Sequence, residues 1–213
     1  MPLAVDRYAL GPVQTNCYVV RAERGAPQAV VIDPGADAAQ LRLELARMGA
    51  TCAAILITHT HYDHIGGVAD LAEASGASVY VPAGEADVLA HADDVYRGYG
   101  IGIRPWSDTV TVGEGDVLEL AGIEWQALSV PGHSRDHVAY AADGMLFSGD
   151  LLFAGSVGRV DLPGADWETL LESIRTLADR FPPETAVYPG HGPETTLGAE
   201  LARNPFLAEL RAS

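Results

Sequence analysis

Residues 58–67 read THTHYDHIGG and hold three histidines and one aspartate within six positions: His59, His61, Asp63 and His64. The apolar run AAILI at 53–57 comes directly before this stretch and predicts a buried strand. Loops at the carboxyl ends of strands are where α/β folds tend to place their ligand sites. Solvated polar loops seldom concentrate imidazoles and a carboxylate at this spacing, so the stretch predicts a metal-binding loop.

Three later residues stand in the same setting as this loop, because each follows an apolar strand and adjoins a glycine. His133 follows IEWQALSV in the motif PGHS, Asp150 follows MLFS in SGD, and His191 follows TAVY in PGHG. A glycine permits a sharp turn and a close approach of the backbone. Taken singly, each residue would be interpreted as an ordinary turn residue. The repeated setting instead predicts that all three join the loop as metal ligands.

The composition disfavours several classes of partner. The chain has 13 Lys+Arg, all of them Arg, against 29 Asp+Glu, and the formal net charge of −16 disfavours nucleic acid and acidic membrane surfaces. Its apolar runs fall short of the roughly 20 residues that a membrane span needs. The first residues, MPLAVDRYALGPV, lack the pattern of an export signal. We therefore expect a cytoplasmic protein with no nucleic-acid partner and no membrane partner.

The length and the order of elements predict a single α/β domain over residues 1–213. Strand patterns alternate with helical patterns in the first half, and a run of short strands joined by Gly and Asp turns follows. The pattern fits two sheets covered by helices on the outside. Periodicity alone does not choose between this sandwich and a single open sheet.

The helices are predicted from their caps and their apolar faces. Asp37 is the expected cap of the first helix, and Asp166 is the expected cap of a long helix near the end of the chain. A second helix is predicted over 65–75 and a short helix over 85–91. The following stretch, 92–106, has no clear period and is predicted to be a looser segment.

The motif HTHYDH at 59–64 resembles the HxHxDH signature of the metallo-β-lactamase fold superfamily, and the later candidates follow in that family's order. The likeness runs from GPVQTNCYVV to the final helix. The resemblance implies an αββα four-layer sandwich with the metals at one edge, between the sheets. It also implies a first metal on His59, His61 and His133, a second metal on Asp63, His64 and His191, and a bridging ligand, Asp150.

Ligands of these types support hydrolysis. Imidazole and carboxylate suit zinc, which we expect, and also iron or manganese. Two such ions about 3.5–4 Å apart can bridge a water and lower its pKa towards about 7, which makes a hydroxide nucleophile at neutral pH. Asp63 can orient that hydroxide by hydrogen bonding and is the candidate catalytic residue. The sequence therefore predicts a dinuclear-metal hydrolase.

The substrate is suggested by a closer resemblance. VGRVDLPGAD after Asp150, GHGPETTLG around His191 and the closing NPFL resemble the short bacterial glyoxalase II-like hydroxyacylglutathione hydrolases. This resemblance implies a thioester such as S-D-lactoylglutathione, whose thiol, with a pKa near 8.5, leaves with little help from a general acid. Arg159 matches a basic residue near the family's substrate and is the candidate contact for a substrate carboxylate. A structural salt bridge is the alternative role of Arg159.

The alternative function is that of a persulfide dioxygenase, which the sequence resembles through the same HxHxDH motif and a similar GR-D segment. Such an enzyme oxidises glutathione persulfide with O₂, and the resemblance would place its single iron on His59, His133 and Asp150. The C-terminal segment favours the hydrolase. The sequence shows no counterpart of the C-terminal helical domain with which full-length glyoxalase II enzymes hold glutathione, so the thiol half of the substrate stays open.

Overall fold

The structure is a computed structural model that describes residues 2–212. Its first six strands form one sheet, in the order β1-β2-β3-β4-β5-β6. β1, β2 and β3 pair antiparallel, and β3 to β6 pair parallel. The strands of this first sheet are β1 (Ala4–Leu10), β2 (Thr15–Arg21), β3 (Gln28–Ile32), β4 (Thr51–Leu56), β5 (Ser78–Pro82) and β6 (Thr109–Val112).

The remaining strands form a second six-stranded sheet, in the order β14-β13-β10-β9-β8-β7, and a small ribbon of β11 and β12. In this second sheet only β10 and β13 pair parallel. The strands are β7 (Val117–Leu120), β8 (Ile123–Ser129), β9 (Val138–Ala142), β10 (Met145–Gly149), β11 (Leu152–Phe153), β12 (Ser156–Val157), β13 (Ala186–Pro189) and β14 (Thr195–Thr196).

The helices lie between and after these strands. They are α1 (Ala38–Met48), α2 (Tyr62–Ile65), α3 (Val68–Ser75), α4 (Ala86–Ala90), α5 (Ala92–Arg97), α6 (Trp167–Arg180), α7 (Leu197–Arg203) and α8 (Ala208–Ala212). A 3₁₀ turn, Ala83–Glu85, precedes α4. None of the helices within residues 2–212 is both long enough and apolar enough to cross a membrane.

Large apolar side chains fill the space between the two sheets. Tyr18 and Leu56 of the first sheet share one buried cluster with Trp125, Tyr140 and Phe147 of the second. The Tyr18 and Phe147 rings meet edge-on, with their centres 5.4 Å apart. Burial of each such side chain is worth about 1.5–3 kcal/mol relative to exposure. This inner layer holds the two sheets face to face.

Helices cover the outer faces of both sheets. On the first sheet, Ile55 packs in one cluster with Leu41 of α1 and Leu71 of α3. On the second sheet, Leu146 packs in another cluster with Ile174 of α6. The four layers confirm the predicted αββα sandwich and exclude the single open sheet.

The predicted caps are confirmed. Asp37 Oδ1 accepts a hydrogen bond from Gln40 N at 3.1 Å at the start of α1. Asp166 Oδ1 accepts one from Thr169 N at 2.8 Å at the start of α6. The short helix predicted over 85–91 corresponds to the 3₁₀ turn and α4.

Two predicted elements differ from the structure. The single helix predicted over 65–75 is wrong, because α2 and α3 are separate and meet at Gly66 and Gly67. The loop between β3 and α1 crosses here, and a Cβ on either glycine would lie 2.8 Å from a carbonyl oxygen of that loop. The looser segment predicted over 92–106 begins with helix α5, since Tyr96 packs against the outer cluster of the first sheet.

The turn between β8 and β9 is fixed by one glycine. Gly132 has a φ of +134°, and a Cβ at this position would lie 2.3 Å from Leu170 Cα in α6. We therefore expect Gly132→Ala to lower the free energy of unfolding by about 2–3 kcal/mol or more. Urea denaturation measures this change. The matched control is Gly144→Ala, which has a φ of +75° with no atom within 4 Å and should cost about 1 kcal/mol. Equal losses in the two variants would contradict the steric argument.

Candidate metal centre

The seven predicted ligands meet at one end of the sandwich. His59 and His61 follow β4, and Asp63 and His64 lie in α2; His133, Asp150 and His191 follow β8, β10 and β13. The two sheets are joined here, because Val138 N donates a hydrogen bond to Thr58 O at 2.9 Å. Tyr140 Oη adds a second link to Ile57 O, also at 2.9 Å. The loops of both sheets therefore share one site.

The side chains form two groups of three, and a third set, His59, His64 and Asp150, overlaps both; within each set the ligand atoms lie within 4.8 Å of one another. The first group is His59, His61 and His133, and the second group is Asp63, His64 and His191. These are the two sets that the sequence resemblance implied, and their roles as ligands stay a prediction.

Asp150 lies between the two groups. Its Oδ2 is 3.5 Å from Nε2 of His133 and 3.5 Å from Nε2 of His191. Its Oδ1 is 3.3 Å from Nε2 of His64. One carboxylate thus faces both groups, as a bridging ligand must.

The buried atoms of the site fit metal ions. His59 Nε2 is buried and has no hydrogen-bond partner, and the buried His64 Nε2 and Asp150 Oδ1 lie 3.3 Å apart without a well-aligned hydrogen bond. A buried polar atom without a partner costs about 1–3 kcal/mol. Imidazole nitrogen and carboxylate oxygen are the donors that zinc, iron and manganese accept. The three atoms therefore fit the inner side of a metal centre.

Asp33 orients the second group, and sequence analysis missed it. Its carboxylate accepts hydrogen bonds from Thr58 N at 2.8 Å and from Thr58 Oγ1 at 2.7 Å. The same carboxylate lies 2.9 Å from His64 Nδ1, so Nε2 of that ring is turned towards the other ligands. The signal in the sequence is an aspartate directly after the apolar strand at 28–32, although Asp33 adjoins a proline where Asp150 adjoins a glycine.

Other groups hold the remaining ligands. Thr15 Oγ1 donates to Asp63 Oδ2 at 2.6 Å, and the Arg159 carbonyl oxygen lies 2.8 Å from His133 Nδ1. His137 is fully buried, with its ring centre 4.8 Å from that of His59. It lies behind the first group and does not line the cleft.

The two groups differ in their protonation. Burial lowers the pKa of all three histidines of the first group, to about 4 for His61. In the second group, burial also opposes the charge on His191, but hydrogen bonds with Asp150 and Asp63 raise its pKa to about 9. Burial likewise favours neutral Asp63, yet the His191 hydrogen bond and the charge on His64 lower its pKa to about 2. The first group is neutral at pH 7, whereas the second is a set of paired charges.

The site opens into a cleft of about 780 Å³. One wall is apolar and comes from α4, α5 and the segment after them. Tyr96 and Tyr99 both line this wall, and Tyr96 Oη donates to Thr60 O at 2.6 Å. Arg159 also lines the cleft, and its guanidinium makes two hydrogen bonds of 2.6 and 2.7 Å with the Asp161 carboxylate. The cleft can hold a substrate larger than the reacting group alone.

A comparison with known families decides the affiliation. The model of the metallo-beta-lactamase superfamily matches residues 10–191. The chain belongs to this superfamily. The two sheets flanked by helices match solved structures of the metallo-beta-lactamase fold, and the protein is a metal-dependent hydrolase that binds divalent metal.

Three relatives are informative. Hydroxyacylglutathione hydrolase GloC of Haemophilus influenzae is 31% identical over 201 residues, which cover 91% of this chain and 93% of that protein. The structure of BLEG-1, described as a B3 metallo-beta-lactamase, is 37% identical with a TM-score of 0.88, covering 96% of this chain and all of that one. The structure of TTHA1623 in a di-iron-bound form is 44% identical with a TM-score of 0.85, covering 95% and 100%.

Metal binding by the second group should depend on pH. His191, with its pKa of about 9, carries a proton at neutral pH in protein stripped of metal, and a metal ion needs that nitrogen free. Burial opposes a proton on His64, but the nearby Asp150 and Asp33 raise its pKa well above the usual value, so this imidazole must release a proton as well. The affinity of this group for Zn²⁺ should therefore rise at least about tenfold, and up to about 100-fold, for each pH unit between 6.5 and 8.5. Competition with a chromophoric chelator measures this Zn²⁺ affinity. The measurement uses His61→Ala protein, in which the first group is weakened. A constant affinity across this range would contradict the assignment.

Proposed function

We propose that the protein is a dinuclear-metal thioester hydrolase that cleaves a substrate such as S-D-lactoylglutathione to a hydroxy acid and a free thiol. One observation carries the proposal: two groups of ligand atoms share the Asp150 carboxylate at the floor of a cleft. The 31% identity to a hydroxyacylglutathione hydrolase over nearly the whole of both chains supports this substrate class. We expect the enzyme to act in the cytoplasm on a small molecule.

The two groups and Asp150 would hold two divalent ions. We expect zinc, with iron or manganese as alternatives. The ions would supply a hydroxide nucleophile and stabilise the oxyanion. Asp63 lies at the cleft and would orient the attacking oxygen. Thr15 holds the Asp63 carboxylate by a hydrogen bond to Oδ2. The apolar wall would exclude water from the acyl and thiol halves. The leaving thiolate needs no dedicated general acid.

Metal content and activity test the proposal together. Protein purified without added metal should contain about two ions per chain and hydrolyse S-D-lactoylglutathione. Asp63→Ala and His191→Ala should each lower kcat/KM at least about 100-fold and reduce the metal content, since each removes a ligand of the second group. The control is His91→Ala, an exposed histidine outside the cleft lining, which should behave as the parent does.

Two other results would overturn the proposal. One iron per chain, with O₂ uptake on glutathione persulfide and no thioester cleavage, would identify the dioxygenase. Cleavage of a β-lactam with no thioester cleavage would instead favour the activity for which BLEG-1 is named. The amine of a β-lactam is a poorer leaving group than a thiolate and must be protonated as it leaves. We therefore favour a thioester over a β-lactam as the substrate.

Arg159 is proposed as the contact for a carboxylate on the thiol half of the substrate. Its guanidinium is exposed in the cleft, and Asp161 already holds it in place. Arg159→Ala should raise KM about tenfold with kcat little changed, because the lost interaction is equal in the bound substrate and the transition state.

Two further variants separate recognition from structure. Asp161→Asn keeps the guanidinium and should raise KM less than Arg159→Ala does. Arg135→Ala removes another arginine of the cleft lining, for which no ion pair is present in residues 2–212. A larger rise of KM in Arg135→Ala than in Arg159→Ala would leave Arg159 with a purely structural role.

A further inference from the structure

Glu85 is a buried carboxylate at the floor of the cleft. It ends the 3₁₀ turn before α4 and is 6% exposed. Its Oε2 accepts hydrogen bonds from Thr60 N at 2.5 Å and from Thr60 Oγ1 at 2.8 Å. Its Oε1 accepts a hydrogen bond from Ser134 Oγ. Both carboxylate oxygens are therefore engaged with protein groups, and those groups belong to only two loops.

These two loops carry the first group. Thr60 stands between His59 and His61, and Ser134 directly follows His133. The first loop leaves β4 of the first sheet and the second leaves β8 of the second sheet. The distance from His59 and His61 to His133 therefore depends on how the two loops are held together. The Glu85 carboxylate contacts both loops.

A second contact joins the loop that carries His133 to the 3₁₀ turn that carries Glu85. The segment after Ser134 packs against the 3₁₀ turn, so that a Cβ on Gly84 would lie 2.2 Å from Asp136 Oδ2. The second group is held differently: Asp33 and Thr15 contact His64 and Asp63. Asp33 also reaches the first group, because Thr58 Oγ1, which donates to Asp33, lies 3.0 Å from His59 Nδ1. The hydrogen bonds of the Glu85 side chain within residues 2–212, in contrast, go to Thr60 and Ser134 and to no residue of the second group.

We propose that Glu85 is a positioning residue that sets the geometry of the first group and thereby its affinity for metal, independently of the second group. It acts through Thr60 and Ser134 and touches neither metal ligand nor reacting atoms. Charge-assisted hydrogen bonds of this kind are shorter and about twice as strong as neutral ones, which suits them to fixing a loop. Neighbours that orient ligands typically change metal affinity 10–100-fold when removed. The inference rests on the proposed ligand assignment and not on the thioester substrate.

The experiment titrates Co²⁺ or Zn²⁺ into protein stripped of metal, in two backgrounds. His191→Ala weakens the second group and reports on the first, whereas His61→Ala reports on the second. Adding Glu85→Ala should weaken binding at least about tenfold in the His191→Ala background and change the Co²⁺ absorption spectrum. The same substitution should leave binding in the His61→Ala background within about twofold.

Glu200 supplies a matched control. It is 5% exposed, and its carboxylate accepts hydrogen bonds from Gly155 N, Thr195 Oγ1 and Asn204 Nδ2, all in a different part of the fold. Glu200→Ala should lower Tm and leave both metal affinities unchanged. Glu85→Gln should restore part of the first-group affinity, because its amide oxygen can still accept from Thr60.

The proposal is overturned if Glu85→Ala leaves the metal affinity of the first group unchanged. It is also overturned if folded Glu85→Ala protein loses metal affinity equally in both groups. If Glu85→Ala does not fold, Ser134→Ala decides, since it removes one hydrogen bond and keeps the carboxylate. That variant should lose about threefold in first-group affinity alone, and no loss would overturn the proposal. If the metal affinities change as expected but the protein does not cleave the thioester, the proposed substrate is wrong and the proposed role of Glu85 stands.

Discussion

The site depends on the hydrogen bonds that join the two sheets at the end where all the ligand loops emerge, such as those from Val138 N to Thr58 O and from Tyr140 Oη to Ile57 O. Behind these bonds, the inner layer of Tyr18, Trp125 and Phe147 prevents the sheets from sliding. Each loop is short and starts from a strand that is fixed in this way. Seven polar side chains can therefore be gathered without a separate scaffold.

The sequence predicted the parts of this protein whose signals are local. The seven candidate ligands follow apolar strands, and Asp37 and Asp166 cap helices within four residues of their own position. The interruption at Gly66 was not predicted, because its cause is a loop about thirty positions earlier in the chain. Asp33 and Glu85 were missed for the same reason: each acts on residues 25 positions or more away.

The choice between a sandwich and an open sheet was also beyond the sequence. Buried strands such as 53–57 are apolar on both faces in either arrangement, so their composition is the same. What decides is the contact between inner faces, where Tyr18 meets Phe147 across 129 positions of chain (147 − 18). Such pairings carry no local pattern, and only the resemblance to a family pointed to four layers.

Asp150 has a further consequence for the stability of the protein. Four of the seven candidate ligands come from the first sheet and three, including Asp150, from loops of the second. A metal ion bound by ligands from both sheets would act as a removable cross-link between the two sheets. Its binding free energy would add to the free energy of unfolding. A cell short of metal would then contain a less stable protein as well as an inactive one.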